Sequence, residues 1–198
     1  MTYLLPVVSS ILTASALALL LTAWQALRMA SPSRKHGIRN GVWMTRFSYG
    51  SRRMSLHERA FLALAGLWAL QHSEVVYFTA FRDSDGRRLS FRNNYRIEGR
   101  DPEARWWVIT VYKNFRFIAN PRNRYSYSMT SIRRQVEDTW TINLASQPED
   151  DNWLPLGDKR GLFVISLRLY NPHPPVYEDP ESIALPRIIR RPTGTEST

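Results

Sequence analysis

Six polar and aromatic side chains in the second half of the chain have the chemistry of a small binding site. An arginine can hold an anionic oxygen through two parallel hydrogen bonds, and an aromatic ring beside it can stack on a sugar or a cation. Arg168 lies mid-strand, on the face opposite the aliphatic residues, and Arg124 ends a loop that begins at Asn120. The candidate ligand-binding residues are Asn120, Arg124, Tyr125, Asn152, Trp153 and Arg168.

The same six residues have a structural interpretation. A half-buried arginine needs acceptors, and the carbonyl oxygens of a turn or one carboxylate would serve. The six would then form a loop lock that holds residues 120–124 and 152–155 against the domain. The residues alone leave both alternatives open and favour the loop lock.

The other reactive groups form no recognisable site. The chain has no cysteine, which excludes thiolate nucleophiles and cysteine zinc sites. The acidic run at 149–151 matches no calcium loop, and no G-x-S-x-G motif is present. The four histidines, whose spacing matches no pair of metal ligands, are His36, His57, His72 and His173. We expect no metal and no cofactor, and enzymatic activity stays an open question with the balance towards none.

Charge and composition narrow the class of partner. The 198 residues carry a formal net charge of +10, which attracts nucleic acid, anionic lipid or an acidic protein. We do not expect nucleic acid, because no nucleic-acid-binding motif accompanies the charge. Seven tryptophans and nine tyrosines favour a β-rich domain with broad packed faces.

The first segment predicts a membrane anchor. No charged side chain occurs from Tyr3 to Leu27, and about 24 residues at about 1.5 Å each would cross a hydrocarbon core. A cleaved signal peptide is the alternative, but the segment has neither a basic start nor a clean A-x-A site. We therefore predict a single transmembrane helix over residues 3–28.

Basic residues at the end of this segment are predicted to bind anionic lipid headgroups at the membrane surface. They are Arg28, Arg34, Lys35 and Arg39. The positive-inside rule would place these residues, and the domain that follows, in the cytoplasm.

The rest of the chain predicts one domain. Residues 29–52 read as a linker with one edge strand around 42–47, and Ser55 and Glu58 form a capping box that predicts a packed helix ending at Gln71. Short strands follow, and 94–98 is predicted to return along 75–81. The architecture is then mainly β: an antiparallel β-sandwich or jelly-roll-like domain over 53–175 with one packed helix. An extended tail rich in proline and arginine over 176–198 is expected to lose order at its end.

Four ordered segments resemble one bacterial family. They are DSDGRRL with YRIEGRDPEARWWVITVY, then NPRNRYSYS, then NWLP, and last LFVISLRLYNP. Together they are similar to the family known as domain of unknown function 1214, in its short form with an N-terminal hydrophobic segment. The similarity extends over roughly residues 57–190. One departure is IRRQVEDTW before the strand at Thr139, where the family often has an Asp-Gly hairpin.

The resemblance implies a jelly-roll-like sandwich in an exported or envelope-attached protein, with no established activity. It favours the periplasm against the positive-inside rule, and we expect the periplasm because a large following domain can override flanking charge. We interpret the protein as a single-pass bacterial inner-membrane protein whose non-catalytic sandwich is an accessory or structural subunit of a membrane complex. The alternative is an envelope carbohydrate-binding or carbohydrate-active domain, with Arg124 and Trp153 facing the glycan.

Overall fold

The computed structural model describes residues 4–30, 37–47, 54, 56, 59, 63, 70–135, 138–149, 151–157 and 160–191. The chain divides into two compact units, of which the first contains helix α1 (Leu4–Ala30). The second unit consists of Gly37–Arg52 and Leu70–Thr198 and contains every strand within the described ranges.

Helix α1 is apolar over most of its length. Its segment Val8–Gln25 has a mean hydropathy of 1.5 and is long and apolar enough to cross a membrane. The hydroxyl of Ser10 donates to the carbonyl of Pro6 at 2.8 Å, and that of Thr22 donates to Ala18 at 2.7 Å. Such bonds within the helix give the hydroxyls a partner, which the hydrocarbon of a membrane could not provide.

The second unit is a sandwich of two sheets. Its strands are β1 (Ile38–Asn40), β2 (Trp43–Thr45), β3 (Val75–Ala80), β4 (Asn94–Arg100), β5 (Ala104–Lys113), β6 (Arg116–Phe117), β7 (Ser126–Ser128), β8 (Thr139–Ala145), β9 (Trp153–Pro155), β10 (Val164–Pro172) and β11 (Arg187–Arg191), with a short helix α2 (Pro174–Glu178) before the last. The seven-stranded sheet has the order β1-β2-β3-β10-β5-β6, and β7 also pairs with β5. The four-stranded sheet has the order β11-β4-β8-β9.

The core lies between the two sheets because side chains alternate along each strand. Trp107, Ile109 and Val111 of β5 are buried on the inner face. The Trp107 ring stacks on that of Trp140 from β8, with ring centroids 4.8 Å apart. The mainly β sandwich predicted from the sequence is confirmed.

The predicted pairing of residues 94–98 with 75–81 is wrong. Strand β3 pairs on one side with β2 and on the other with β10, so neither of its edges is left for β4. Strand β4 instead lies between β11 and β8 in the other sheet. The purely antiparallel prediction also fails at one place, since β8 and β9 are parallel.

Both ends of the predicted domain gain strands. Within the predicted linker, β1 and β2 extend the seven-stranded sheet beyond β3. Residues 187–191 of the predicted tail do not lose order, because they form β11 and pair with β4 from Arg187 opposite Glu98 to Arg191 opposite Asn94. The helix predicted from Ser55 to Gln71 falls mostly outside the described residues.

Candidate binding site on the seven-stranded sheet

Arg168 faces outward because its strand neighbours are core residues. Leu167 and Leu169 are fully buried, so the alternation of β10 turns Arg168 to the outer face of the sheet. There it lies opposite Tyr77 of β3 and Val108 of β5. Arg168 therefore lies on the middle strand of three, and its half-buried side chain is flanked by residues of β3 and β5.

Two tyrosine rings flank the guanidinium. Its central carbon lies 5.8 Å from the ring centroid of Tyr77 and 5.7 Å from that of Tyr112, within cation–π range. One terminal nitrogen donates a hydrogen bond to the Tyr112 hydroxyl. The Nε of Arg168 is buried and has no hydrogen-bond partner. The Nε is closed off from solvent, so a ligand oxygen could reach this unsatisfied donor only after the flanking side chains move.

The electrostatics of the cluster favour an anion. Burial raises the pKa of Tyr77 above its ordinary value, although the positive charge of Arg168 opposes that shift. Tyr77 is thus a neutral hydroxyl at physiological pH and cannot neutralise the arginine. Arg168 forms no ion pair with any carboxylate in the described part of the chain. A carboxylate supplied by a ligand would match the charge and the geometry of the guanidinium.

An aromatic row connects this cluster to the loop that begins at Asn120. The ring of Tyr112 stacks on Phe117 of β6, with centroids 5.3 Å apart, and Phe117 contacts Tyr125 at the same distance. The Tyr125 hydroxyl donates to Oδ1 of Asn123 at 3.1 Å. Phe117 is the most exposed ring of the row, at 58%, whereas Tyr112 and Tyr125 on either side of it are half-buried.

Asn120 closes its own loop. Its amide nitrogen donates to the carbonyls of Ile118 and Arg124, both at 2.9 Å, and its Oδ1 accepts from the backbone nitrogen of Arg124 at 3.2 Å. Asn123 adopts φ = 50°, a conformation that asparagine tolerates better than most residues. These bonds shape the loop.

Asn152 also bonds to the backbone. It is 3% exposed; its Nδ2 donates to the carbonyls of Arg133 and Thr141 and its Oδ1 accepts from the Arg133 nitrogen, all at 2.8 Å. The Trp153 ring is buried, and its indole nitrogen donates to the carbonyl of Ala145 at 3.0 Å. Neither side chain has a polar group left for a ligand.

The two loops meet through a residue that sequence reasoning missed. The guanidinium of Arg122 lies 5.2 Å from the Trp153 ring centroid, whereas that of Arg124 lies 4.9 Å from the ring of Tyr127. The Tyr127 hydroxyl in turn donates to the Trp153 carbonyl at 3.4 Å. The structure therefore divides the six predicted residues into a loop group and a separate Arg168 cluster, joined by the aromatic row.

The predicted membrane-surface residues are only partly described. Arg28 lies in the last turn of α1, Arg34 and Lys35 fall outside the described residues, and Arg39 is an exposed residue of β1. No group of three histidine, aspartate or glutamate residues in the described ranges is arranged to hold a metal ion.

Comparison with known proteins adds a family and a fold. A family model described as "Protein of unknown function (DUF1214)" matches residues 74–174. The chain is similar to the crystal structure of the VPA0106 protein from Vibrio parahaemolyticus, with 22% identity and a TM-score of 0.56 over 70% of this chain and 36% of that one. A putative uncharacterized protein from Burkholderia cenocepacia matches at 14% identity and a TM-score of 0.37, over 62% of this chain and 32% of that chain. The chain thus spans about a third of these solved proteins. No curated protein matches it.

Proposed function

This chain belongs to the DUF1214 family, whose function is unknown, and we propose from its own geometry that it is an accessory subunit of a membrane complex. In this proposal α1 anchors the protein in the bacterial inner membrane. The sandwich is non-catalytic and binds a partner protein of the same membrane. The periplasm is the proposed compartment of the sandwich.

The observation that supports this role is the unsatisfied Arg168 cluster. Arginine and tyrosine are, with tryptophan, the side chains that most often dominate the binding energy of protein interfaces. In this proposal the side chains of Tyr77 and Tyr112 move apart, and a partner's aspartate or glutamate accepts a hydrogen bond from the Nε of Arg168 that is buried and unsatisfied in the free chain. The aromatic row through Phe117 would then add contact area beside that ion pair.

The test is photo-crosslinking in the native membrane. A photoreactive amino acid replaces Tyr125, at the loop end of the aromatic row, and the full chain is purified in mild detergent. We expect one membrane protein to crosslink in stoichiometric amounts through an acidic segment, and Arg168→Met to abolish this crosslink. The matched control is Arg96→Met, which removes the same charge from the other sheet and should leave the crosslink intact. Repeated isolation of a lone monomer, or an undiminished crosslink in Arg168→Met, would contradict the proposal.

The compartment has its own test. Alkaline phosphatase fused at Thr198 is active only outside the cytoplasm, so a periplasmic sandwich gives an active fusion. An inactive, stably expressed fusion would place the sandwich in the cytoplasm, as the positive-inside rule predicts from the flanking charges.

Carbohydrate binding is the second candidate, and the aromatic row favours it because stacked rings can hold sugars. Trp153 is a poor candidate for the stacking ring, since it is buried and covered by Arg122. The row Tyr112–Phe117–Tyr125 would serve instead. Loss of glycan binding in Phe117→Ser, with an unchanged melting temperature, would support this role. No binding of envelope glycans at millimolar concentration would exclude it.

A further inference from the structure

The tip of the β5–β6 hairpin carries an unusual residue. Lys113 pairs with Arg116, which leaves Asn114 and Phe115 as a two-residue turn. Both have positive φ, at 49° and 62°, which is the geometry of a type I′ turn. Asparagine and glycine suit such a turn, whereas an aromatic residue there is uncommon. Phe115 is also 66% exposed, so burial in the sandwich does not explain its presence.

Three more exposed apolar side chains lie at the same end of the sheet. Phe117 pairs with Tyr112, which lies opposite Val164. Phe81 directly follows β3, whose Ala80 pairs with Ile165, and Leu162 precedes β10 by two residues. Phe117 is 58% exposed, and Phe81 and Leu162 are 46% exposed each. We call Phe81, Phe115, Phe117 and Leu162 the hairpin-end patch.

Basic residues surround this patch. An open groove of about 420 Å³ beside it is lined by Lys113, Asn114, Arg116, Phe117 and Ile118. The exposed bases of the surrounding segments are Arg82, Arg87, Arg88, Arg116 and Arg160, with Lys113 half-buried. In the described residues of these segments the exposed acid is Asp85, since Asp83 is buried against Arg190. The local charge is therefore strongly positive.

We propose that the hairpin-end patch docks onto an anionic lipid bilayer, with the phenylalanine rings at headgroup depth and the bases on lipid phosphates. Protruding aromatic side chains with bases around them are typical of segments that lie in the membrane interface. The helix of the same chain is apolar enough to span that bilayer. Helix α1 and Gly37 are separated by six residues in the sequence, and six residues can span at most about 21 Å. Docking needs no partner protein and goes beyond the accessory role proposed above.

A spin label can test this proposal, because the chain has no cysteine and one introduced cysteine gives a single site. The nitroxide is placed at Leu162→Cys, which leaves Phe115 and Phe117 intact. The full chain is reconstituted alone in lipid nanodiscs of two kinds. Neutral nanodiscs contain phosphatidylcholine, and anionic nanodiscs contain phosphatidylcholine with about one third of phosphatidylglycerol. Collisions with oxygen, which enters the membrane, are compared with collisions with a water-soluble nickel complex.

We expect the label at position 162 to be protected from the nickel complex in anionic nanodiscs and accessible in neutral ones. A label at Arg187→Cys, on the four-stranded sheet, should stay accessible in both. Arg116→Gln should lower the docked fraction about fivefold, equivalent to about 1 kcal/mol. Arg105→Gln removes the same charge from the other end of β5 and should have no effect. The pair Phe115→Ser/Phe117→Ser should abolish docking with little change in melting temperature, because both rings are exposed.

Equal nickel accessibility at positions 162 and 187 in anionic nanodiscs would overturn the proposal. So would protection that appears only in native membranes, since that result would assign the patch to a protein. The nanodiscs contain no partner, and Arg168→Met should not change docking in them. Failure of lipid docking is therefore separable from failure of the accessory role.

Discussion

The two sheets each hold a half-buried arginine beside a tyrosine, and the two arginines are bonded very differently. Arg190 of β11 lies 5.9 Å from the ring centroid of Tyr95, and its Nε and a terminal nitrogen reach Oδ2 of Asp83 at 2.9 Å and 2.8 Å. Arg168 of β10 has two tyrosine rings and one hydroxyl acceptor, and its Nε is unsatisfied. The neighbouring rings are alike, and the difference is the carboxylate.

The carboxylate gives Arg190 a structural partner of a kind that Arg168 lacks among the described residues. Asp83 is fully buried and also accepts a hydrogen bond from the Arg87 nitrogen at 2.8 Å, so its charge is compensated. The pair joins the turn after β3 to the last strand of the other sheet. An unsatisfied donor such as the Nε of Arg168 costs stability. Arg168 has no carboxylate partner in the described part of the chain, and this difference supports the binding role proposed for it.

The largest effect is expected where the ion pair is broken. Arg190→Met removes the partner of a buried carboxylate, and we expect the free energy of unfolding to fall by about 3–5 kcal/mol. Urea denaturation of the full chain in detergent measures the change. The double variant Asp83→Asn/Arg190→Met removes both charges and should recover a large part of the loss. If the single variant costs less than about 1 kcal/mol, Arg190 is no more structural than a surface ion pair and the contrast with Arg168 disappears.

Arg168→Met should have a much smaller effect on stability. It loses two cation–π contacts and one hydrogen bond but removes an unsatisfied buried donor, so we expect the free energy of unfolding to change by less than about 1 kcal/mol. The same urea titration measures it, with Arg190→Met alongside. A loss as large as that of Arg190→Met would make Arg168 a structural residue.

The smallest effect concerns Tyr77 at alkaline pH. Because burial raises its pKa above 10.0, the unfolded tyrosine ionises first as the pH rises, and the free energy of unfolding falls from about pH 10 upward. The slope is at most about 1.4 kcal/mol per pH unit for one group, and Tyr77→Phe should reduce it. Arg168→Met should steepen the decline, because the arginine holds the pKa of Tyr77 down. An unchanged slope in Tyr77→Phe would mean that Tyr77 does not contribute to the decline, and an unchanged slope in Arg168→Met would mean that the pKa of Tyr77 does not respond to Arg168.

The pattern of apolar and polar residues within single segments predicted much of the fold. The alternation of β10 placed Arg168 outside and Leu167 and Leu169 inside, and the aromatic run at 105–112 predicted β5, because both depend on neighbours within one strand. The partners of β4 and β11 were not predictable in this way. Their pairing depends on which edges remain free after distant strands have joined, and the sequence of one strand does not contain that information.

The sequence predicted which residues belong to the candidate site but not which of them are neighbours in space. The residue types of Asn120 and Asn152 indicated loop-shaping bonds. The contact between the loops comes instead from Arg122, one of two arginines in the loop at 120–124. Tyr77 and Tyr112 were missed as the neighbours of Arg168, since they lie on two other strands and only the sheet register brings them together. Phe115 could have been noticed, because Asn114 before it suits a type I′ turn.

The pairing of β11 with β4 also has a consequence for synthesis of the chain. Asp83 is made more than a hundred residues before Arg190, and it cannot be neutralised by that partner until β11 has been synthesised and released from the ribosome tunnel. A nascent or truncated chain that stops before residue 190 would bury a lone carboxylate or leave the edge of β4 open. We expect such a chain to unfold more readily and to be degraded faster than the full chain, so that stability of the domain depends on completion of the last strand.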